Sequence, residues 1–445
     1  MKKLLIMIIA IVTIFCTVAM AAENDALQGL SSAFGAMQDN LLVMPGSEAV
    51  APNATIRVHL NGSYVNFADS EGNVVNPQII NNRTMVPMRK IFETLACDVS
   101  WDEPTRTVVA KSGTKEITLT IDNPVAKVRD AGTERAITLD QAPVIRDNRT
   151  LVPVRFIAES LDKEVGWDSP ARVVEIIDFK EVTNILKSRV PALQKLFDMD
   201  VAPIDSFRAD ATIDGSIEYT GSNSQKIGLN GTADIAVSKA EDIESTISLE
   251  VTGDSNELMA ALGEAGNNRF DAKVILKGNK VYVGLLQNGE YVWTDASSSI
   301  SSVNQIAVNY NVNKINSYEA VVEFIKSSLG ELNANSYSTI MSLIEGLSYA
   351  ISEDTVSLIS NGNEKTLTLD LDLAKILSHV SSGGIGGAEF TMHVELTAVD
   401  GQMSKEAIRY VFGVDQGDEA LRYDMQMTSN YRDLNSNIEI QAPSL

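Results

Sequence analysis

Residues 82–109 read NRTMVPMRKIFETLACDVSWDEPTRTVV, and residues 148–175 read NRTLVPVRFIAESLDKEVGWDSPARVVE. At a constant offset of 66 and without a gap, 15 of these 28 positions are identical. The identities include Asn82/Asn148, Arg83/Arg149, Pro87/Pro153, Arg89/Arg155, Glu93/Glu159, Trp101/Trp167, Asp102/Asp168 and Arg106/Arg172. Chance does not produce such a match, so the chain contains a duplicated structural unit.

Each copy has the same physical reading. Asn-Arg-Thr is turn chemistry, and the Val-Pro that follows ends a short extended run, because a residue before proline avoids the helical region. Pro87 and Pro153 then suit a helix start, where the missing N–H costs nothing. Met88, Ile91, Phe92 and Leu95 match Val154, Ile157, Ala158 and Leu161 at i, i+3, i+4, i+7. That spacing predicts one apolar face of a helix about three turns long. A strand ending in Trp-Asp, a proline-containing turn and a second strand from Arg106 or Arg172 complete the unit. Trp101 and Trp167 are expected to lie buried over their helices as core anchors.

The pattern resembles the copper amine oxidase N-terminal domain family, a stalk-like module found singly or in tandem on secreted bacterial proteins. NRTMVPMRKIFETL with VSWD, and NRTLVPVRFIAESL with VGWD, carry the resemblance, which covers residues 55–179. It implies two tandem copies of a small antiparallel sheet wrapped around one helix, in a module that does not itself bind copper. The family usually has Gly after the helix leucine, where this chain has Ala96 and Asp162. A helix C-terminus favours a residue tolerant of positive φ, so a rebuilt turn is expected in both copies.

Outward from the repeat, residues 1–21 read as a secretory signal: Lys2 and Lys3, an apolar run from Leu4 to Val18, then Ala19-Met20-Ala21 as a cleavage site. Phe15 before Cys16 lacks the small residue that a lipidation site would need. Residues 22–54 read as a flexible spacer, and 56–67 as a hairpin around Asn61-Gly62. With 59 acidic and 36 basic residues the formal charge is −23, and loss of the two lysines makes it −25. Such a chain repels nucleic acid and anionic lipid. Only Cys97 remains after cleavage, so no internal disulfide forms and a buried thiol is expected.

Residues 180–204 carry helical spacing broken at Pro191 and read as a two-piece connector. From 205 to 445 the pattern changes to alternating strands, as in FRADATIDGSIEYT, with hairpin turns at Gly278-Asn279 and Asn288-Gly289. Residues 316–330 and 335–352 switch to helical spacing, and LAKILSHV and SSGGIGG precede the last three strands. The fold class is therefore α+β. The C-terminal part resembles the half-barrel of bacterial lipoprotein-carrier and lipid-binding envelope proteins, on its element order and the KVYVGLLQNGEYVWTD hairpin. That resemblance implies helices packed on the concave face through Val321, Val322, Phe324, Ile325 and Leu329, and through Ile340, Leu343, Ile344, Leu347 and Ile351.

Catalytic signals are weak. Copper amine oxidase chemistry needs three histidine ligands and a tyrosine-derived quinone. This chain has His59, His379 and His393, scattered, and Asn309-Tyr310-Asn311 lacks the acidic residue that follows that tyrosine. There is no Gly-x-Ser-x-Gly elbow and no CxxC pair. SSGGIGG follows a helix, the reverse of a phosphate loop, and Asp370 with Asp372 supplies too few ligands for calcium. No cofactor and no metal is expected.

Arg83, Arg89, Arg149 and Arg155 admit two readings. They could form a repeated basic patch for a carboxylate or glycan. Alternatively Arg89–Glu93 and Arg155–Glu159 are i, i+4 scaffolding pairs, the reading favoured here because repeated modules repeat their scaffolding. The expected protein is a secreted, non-enzymatic component of the cell envelope. Its stalk-like module would serve adhesion or spacing, and its C-terminal domain would recognise an envelope component or protein partner. The competing reading is an extracellular carrier of a lipid-like ligand, with no stable membrane insertion after cleavage. An apolar interior left open would favour the carrier.

Overall fold

The computed structural model describes residues 50–51, 54–68, 71–221, 224–240, 242–253, 268–278, 280–297, 317–372, 374–375, 388–415, 417 and 420–444. The signal segment, nearly all of the spacer, Asn309–Asn311, His379, most of LAKILSHV and the SSGGIGG stretch lie outside these residues. The chain divides into two compact units. The smaller unit comprises residues 44–185 together with 325–341, so a segment assigned by sequence to the C-terminal domain packs here.

In the smaller unit, strands β1 (Arg57–Leu60) and β2 (Ser63–Tyr64) form the expected hairpin, with positive φ at Asn61 and Gly62. Strands β3 (Gln78–Ile80) and β4 (Arg83–Pro87) lead into helix α1 (Met88–Thr94). Then come β5 (Asp98–Asp102), β6 (Thr107–Ser112), β7 (Lys115–Thr120), β8 (Val125–Asp130) and β9 (Thr133–Thr138). The second copy follows with β10 (Val144–Arg146), β11 (Arg149–Pro153), α2 (Val154–Ser160), β12 (Glu164–Asp168) and β13 (Val173–Ile177).

Both helices are seven residues long, two turns rather than three. In each, the chain leaves the helix through positive φ, at Ala96 (56°) and Asp162 (59°). The N–H groups of Cys97 and Lys163 donate back to the carbonyls of Phe92 and Ala158, and those of Ala96 and Asp162 to Glu93 and Glu159. That is an ordinary left-handed C-cap, so the turn is kept without glycine instead of being rebuilt. Positive φ recurs at the homologous pairs Asn81/Asp147, Asn82/Asn148 and Arg106/Arg172.

Pairing interleaves the two copies. β4 and β11 lie antiparallel with Val86 opposite Val152, at the centre of a sheet ordered β10-β11-β4-β3. Copy one continues as β5-β6-β7-β8-β9. Copy two has the order β12-β13-β1-β2, in which β1, from upstream of copy one, pairs parallel to β13. All three sheets and both helices feed one apolar cluster that includes Val58, Val86, Ile91, Phe92, Val108, Ile117, Val152, Ile157, Val174 and Ile176.

The chain then forms the two-piece connector, α3 (Phe179–Arg189) and α4 (Leu193–Phe197). The larger unit, apart from residues outside the described set, covers 186–324 and 342–445. Its strands are β14 (Phe207–Thr220), β15 (Gln225–Val237), β16 (Ile243–Gly253), β17 (Arg269–Lys277), β18 (Lys280–Gln287) and β19 (Glu290–Asp295). After helices α5 (Tyr318–Leu329) and α6 (Ser336–Ala350) come β20 (Val356–Asn361) and β21 (Glu364–Asp372). β22 (Ala388–Val399), β23 (Gln402–Asp415) and β24 (Ala420–Arg432) complete it.

The eleven strands make one antiparallel sheet ordered β19-β18-β17-β16-β15-β14-β24-β23-β22-β21-β20, curled into a half-barrel. First and last strands pair in the middle, so β19 and β20 are open edges and the helical insertion runs between them in sequence. One face is apolar, carrying Ala209, Ile213, Leu229, Ile235, Ile247, Leu249, Phe270, Leu367, Leu396 and Met427. The other is charged: Arg432 bridges Asp210 (2.8 Å) and Asp234 (2.5 Å), and Arg409 pairs with Asp424. Part of that outer face is covered by Ile438 and Ile440 of the C-terminal tail, packed on Ala236, Ile275 and Tyr282.

Helices α5 and α6 do not fill the apolar face as expected. Of the two helices and their flanks, only Ile351, just past α6, joins that cluster among the described residues. α5 starts against the connector: the Tyr318 hydroxyl donates to the carbonyls of Val190 and Pro191, and its ring meets Phe197 edge-on at 5.2 Å. Residues 325–341 pack with the smaller unit. The Ala334 N–H donates to Asp168 (3.0 Å), Lys326 pairs with Glu164 (2.6 Å), and Leu332 lies directly over Gly166.

Candidate functional site

The arginines do not gather. Arg83 and Arg149 lie three residues before Val86 and Val152, on strands running in opposite directions. At about 3.4 Å per residue they sit roughly 20 Å apart. Arg83 pairs with Asp140 at 2.7 Å. Arg155 reaches Glu159 at 4.0 Å, and both are exposed. Arg89 and Glu93 are also exposed, and the i, i+4 pair expected between them is not formed among the described residues. Trp101 and Trp167 pack on the shared core but are half-buried rather than enclosed. Each lies on a strand, β5 or β12, that forms the edge of its sheet. Pro87 and Pro153 are buried at the helix starts.

The histidines are dispersed. His59 faces the fully buried Glu175 across the β1–β13 pair, with Nδ1 3.3 Å from Oε2, while Gly62 N–H donates to Oε1 (3.0 Å). His393 and Asp370 make a cross-strand contact of 2.6 Å between exposed side chains. Cys97 is buried, and burial pushes its thiol pKa up, which keeps it inert. Among the described residues no group of three metal-ligating side chains converges, and no helix is long and apolar enough to cross a membrane.

One polar cluster stands inside the apolar face of the half-barrel. Glu406 is 2% exposed. One carboxyl oxygen accepts from the Tyr431 hydroxyl at 2.5 Å, and the other has no partner. Ser429, 1% exposed, is its direct cross-strand neighbour, and its hydroxyl also lacks a partner. Register places Ala211 opposite Ser429, and Ala233 beyond Ala211, so methyl groups flank the cluster on that side. Phe207 packs on the Tyr431 ring at 4.9 Å. Burial raises the Glu406 pKa above the usual carboxylate range; Tyr431 is raised by burial and by the neighbouring carboxyl. A buried polar group without a partner costs about 1–3 kcal/mol, so these two atoms call for an explanation.

Sequence reasoning missed this cluster. Glu406 lies on the face of Ile408 and Tyr410, so strand parity alone carried a signal. A register shift at Thr397/Ala398 intervenes, and it lets Met403 and Glu406 share one face despite their odd spacing.

The sequence model of the copper amine oxidase N-terminal domain matches residues 60–176, a stretch enclosing both copies of the repeat. No curated protein matches the chain. Among solved structures, LprF from Mycobacterium bovis aligns over 60% of this chain and 98% of its own, at 10% identity and a TM-score of 0.21. Lipovitellin, in a structure describing lipid–protein interactions, aligns over 54% of this chain and 26% of its own, at 7% identity and a TM-score of 0.22. A LolA superfamily protein from Nitrosomonas europaea aligns over 57% of this chain and 94% of its own, at 10% identity and a TM-score of 0.14. At scores this low these likenesses carry no inference about function. What the comparisons establish is a segment, residues 60–176, that matches the N-terminal domain of copper amine oxidases, the part of those enzymes that is not catalytic.

Proposed function

We propose that the protein is a non-enzymatic carrier, secreted to the cell envelope, that holds a lipid-like ligand on the inner face of its half-barrel. One observation carries the reading: apart from Ile351, the helices that sequence placed across the apolar face contribute nothing to it among the described residues, and a run of apolar side chains spans its strands, joined by Ala192, Leu196 and Met199 of the connector. A curled sheet that does not close needs more than its own short side chains to cover its inner face, and Ala209, Ala211 and Ala233, which supply only methyl groups, are nevertheless almost fully buried. The module of residues 55–179, read as tandem stalk-like copies, then acts as a spacing unit. A purely adhesive role has no comparable feature in its favour.

The test is native mass spectrometry of the purified full-length protein, followed by solvent extraction. A co-purifying apolar species, or saturable binding of a fluorescent apolar probe, is the expected result. Absence of both overturns the carrier reading. Secretion is checked separately, by sequencing the N-terminus of protein recovered from envelope and medium, which is expected to begin at Ala22.

A further inference from the structure

We propose that Glu406 and Ser429 form a head-group subsite for a ligand bearing an uncharged hydroxyl, such as a long-chain alcohol or an acylglycerol. This rests on the carrier reading and extends it. The two atoms without partners, one Glu406 carboxyl oxygen and the Ser429 hydroxyl, belong to directly opposed residues of β23 and β24, on the apolar face. Opposed side chains on one face stand about 5 Å apart, a gap that a single oxygen can bridge. Tyr431 already donates to the other carboxyl oxygen, which fixes the carboxyl and leaves one oxygen for the ligand.

The choice of an uncharged hydroxyl follows from what each head would meet. A hydroxyl has one donor and two acceptor sites, so it satisfies Glu406 and Ser429 together: it accepts from a protonated Glu406 or donates to an ionised one, and it uses its remaining capacity on the Ser429 hydroxyl. A carboxylate head would bring a second acid beside Glu406 in an apolar site, where two such groups cannot both ionise. An ammonium head would require Glu406 to be charged, and its burial disfavours the charged form. Among the described residues the neighbours on that face, Ala211, Ile408, Leu396 and Met427, are apolar. The lysines and arginines of these strands, such as Arg409 and Arg432, lie on the outer face with Asp424 and Asp210.

The experiment measures displacement of a fluorescent apolar probe from the full-length protein by four ligands of equal chain length. These are dodecanol, monododecanoylglycerol, dodecanoate and dodecylammonium. Dodecanol and the acylglycerol are expected to bind about tenfold tighter than either charged ligand, and their relative affinity tells a free alcohol from a glyceride. Glu406→Leu and Ser429→Ala are expected to weaken the two alcohols by about threefold to tenfold each, the value of one hydrogen bond, while probe affinity is kept. Glu406→Gln, which retains donor and acceptor, is expected to keep the preference. Equal affinity for all four heads, a preference for dodecylammonium lost in Glu406→Gln, or an unchanged preference in Glu406→Leu each overturns the subsite while leaving the carrier intact. If neither probe nor ligand binds the unmodified protein, the carrier reading itself falls.

Discussion

Glu406 holds a carboxyl where its neighbours hold methyl groups, and its titration must therefore oppose folding. Its folded pKa lies above the ordinary glutamate value of 4.5, because burial penalises the charged form. Below the unfolded value both states are protonated and nothing is lost. As pH rises beyond it, the unfolded chain releases a proton that the folded chain keeps, so stability falls until the folded pKa is passed. Urea unfolding from pH 4 upward is expected to show this decline, and Glu406→Gln is expected to flatten it. An equal slope in the variant would place the titration elsewhere. Two smaller residues give sharper local tests. A Cβ at Gly166 would enter the space of the Leu332 carbonyl, whereas the homologous Ser100 is exposed. Gly166→Ala is expected to cost about 1–3 kcal/mol by overpacking, and Ser100→Ala less than about 0.5 kcal/mol. Ala96 is exposed at φ 56°. Ala96→Gly is expected to stabilise by about 1 kcal/mol in thermal unfolding, since glycine carries no left-handed penalty.

At the scale of elements, β1 is a strand that sequence assigned but whose long-range partner, β13, it did not. Its hairpin turn was legible in Asn61-Gly62, but nothing local tells a strand that its partner lies 116 residues downstream, at Val174 opposite Val58. Strand pairing at that range is decided by which edge remains open after copy two folds. Copy one closes the homologous edge with β7, next in the chain, whereas copy two runs directly into α3 and has no strand of its own to offer. Val58 is fully buried, as is Val108 of copy one. Val58→Ala is therefore expected to destabilise the protein by about 2 kcal/mol, as much as Val108→Ala, although it lies outside both repeats. A cost near zero would mean that β1 is an ornament on a finished sheet. The helices were legible from their 3.6-residue spacing, yet their length was overread. Leu95 and Leu161 continue the apolar spacing, but they occupy the C-cap and pack from there, so the periodicity ends one residue past each two-turn helix. The faces of α5 and α6 were also readable, whereas their destination was not. An apolar stripe reports that something covers it, and Tyr318 finds that cover in the connector.

For the molecule as a whole, the excess of acid sets the response to salt. There are 59 acidic against 36 basic residues. Many of the basic ones are engaged in cross-strand pairs such as Arg409–Asp424, Lys273–Glu244 and Arg432 with Asp210 and Asp234. Two effects then compete. Salt weakens the pairs, which at exposed positions are each worth about 0–1 kcal/mol and lose only part of that. Salt also screens the repulsion among the surplus carboxylates, a term that grows with the square of a net charge of −23. Folding draws those charges together, so relief of repulsion favours the compact state and should win. The melting temperature is expected to rise when sodium chloride is raised from about 10 mM to about 150 mM, as the Debye length shrinks from roughly 30 Å to roughly 8 Å, and to level off beyond. A melting temperature that fell over the same range would show that the outer ladder of pairs outweighs the surplus charge. In that case the charged face of the half-barrel, rather than its apolar one, would set the electrostatics of the fold.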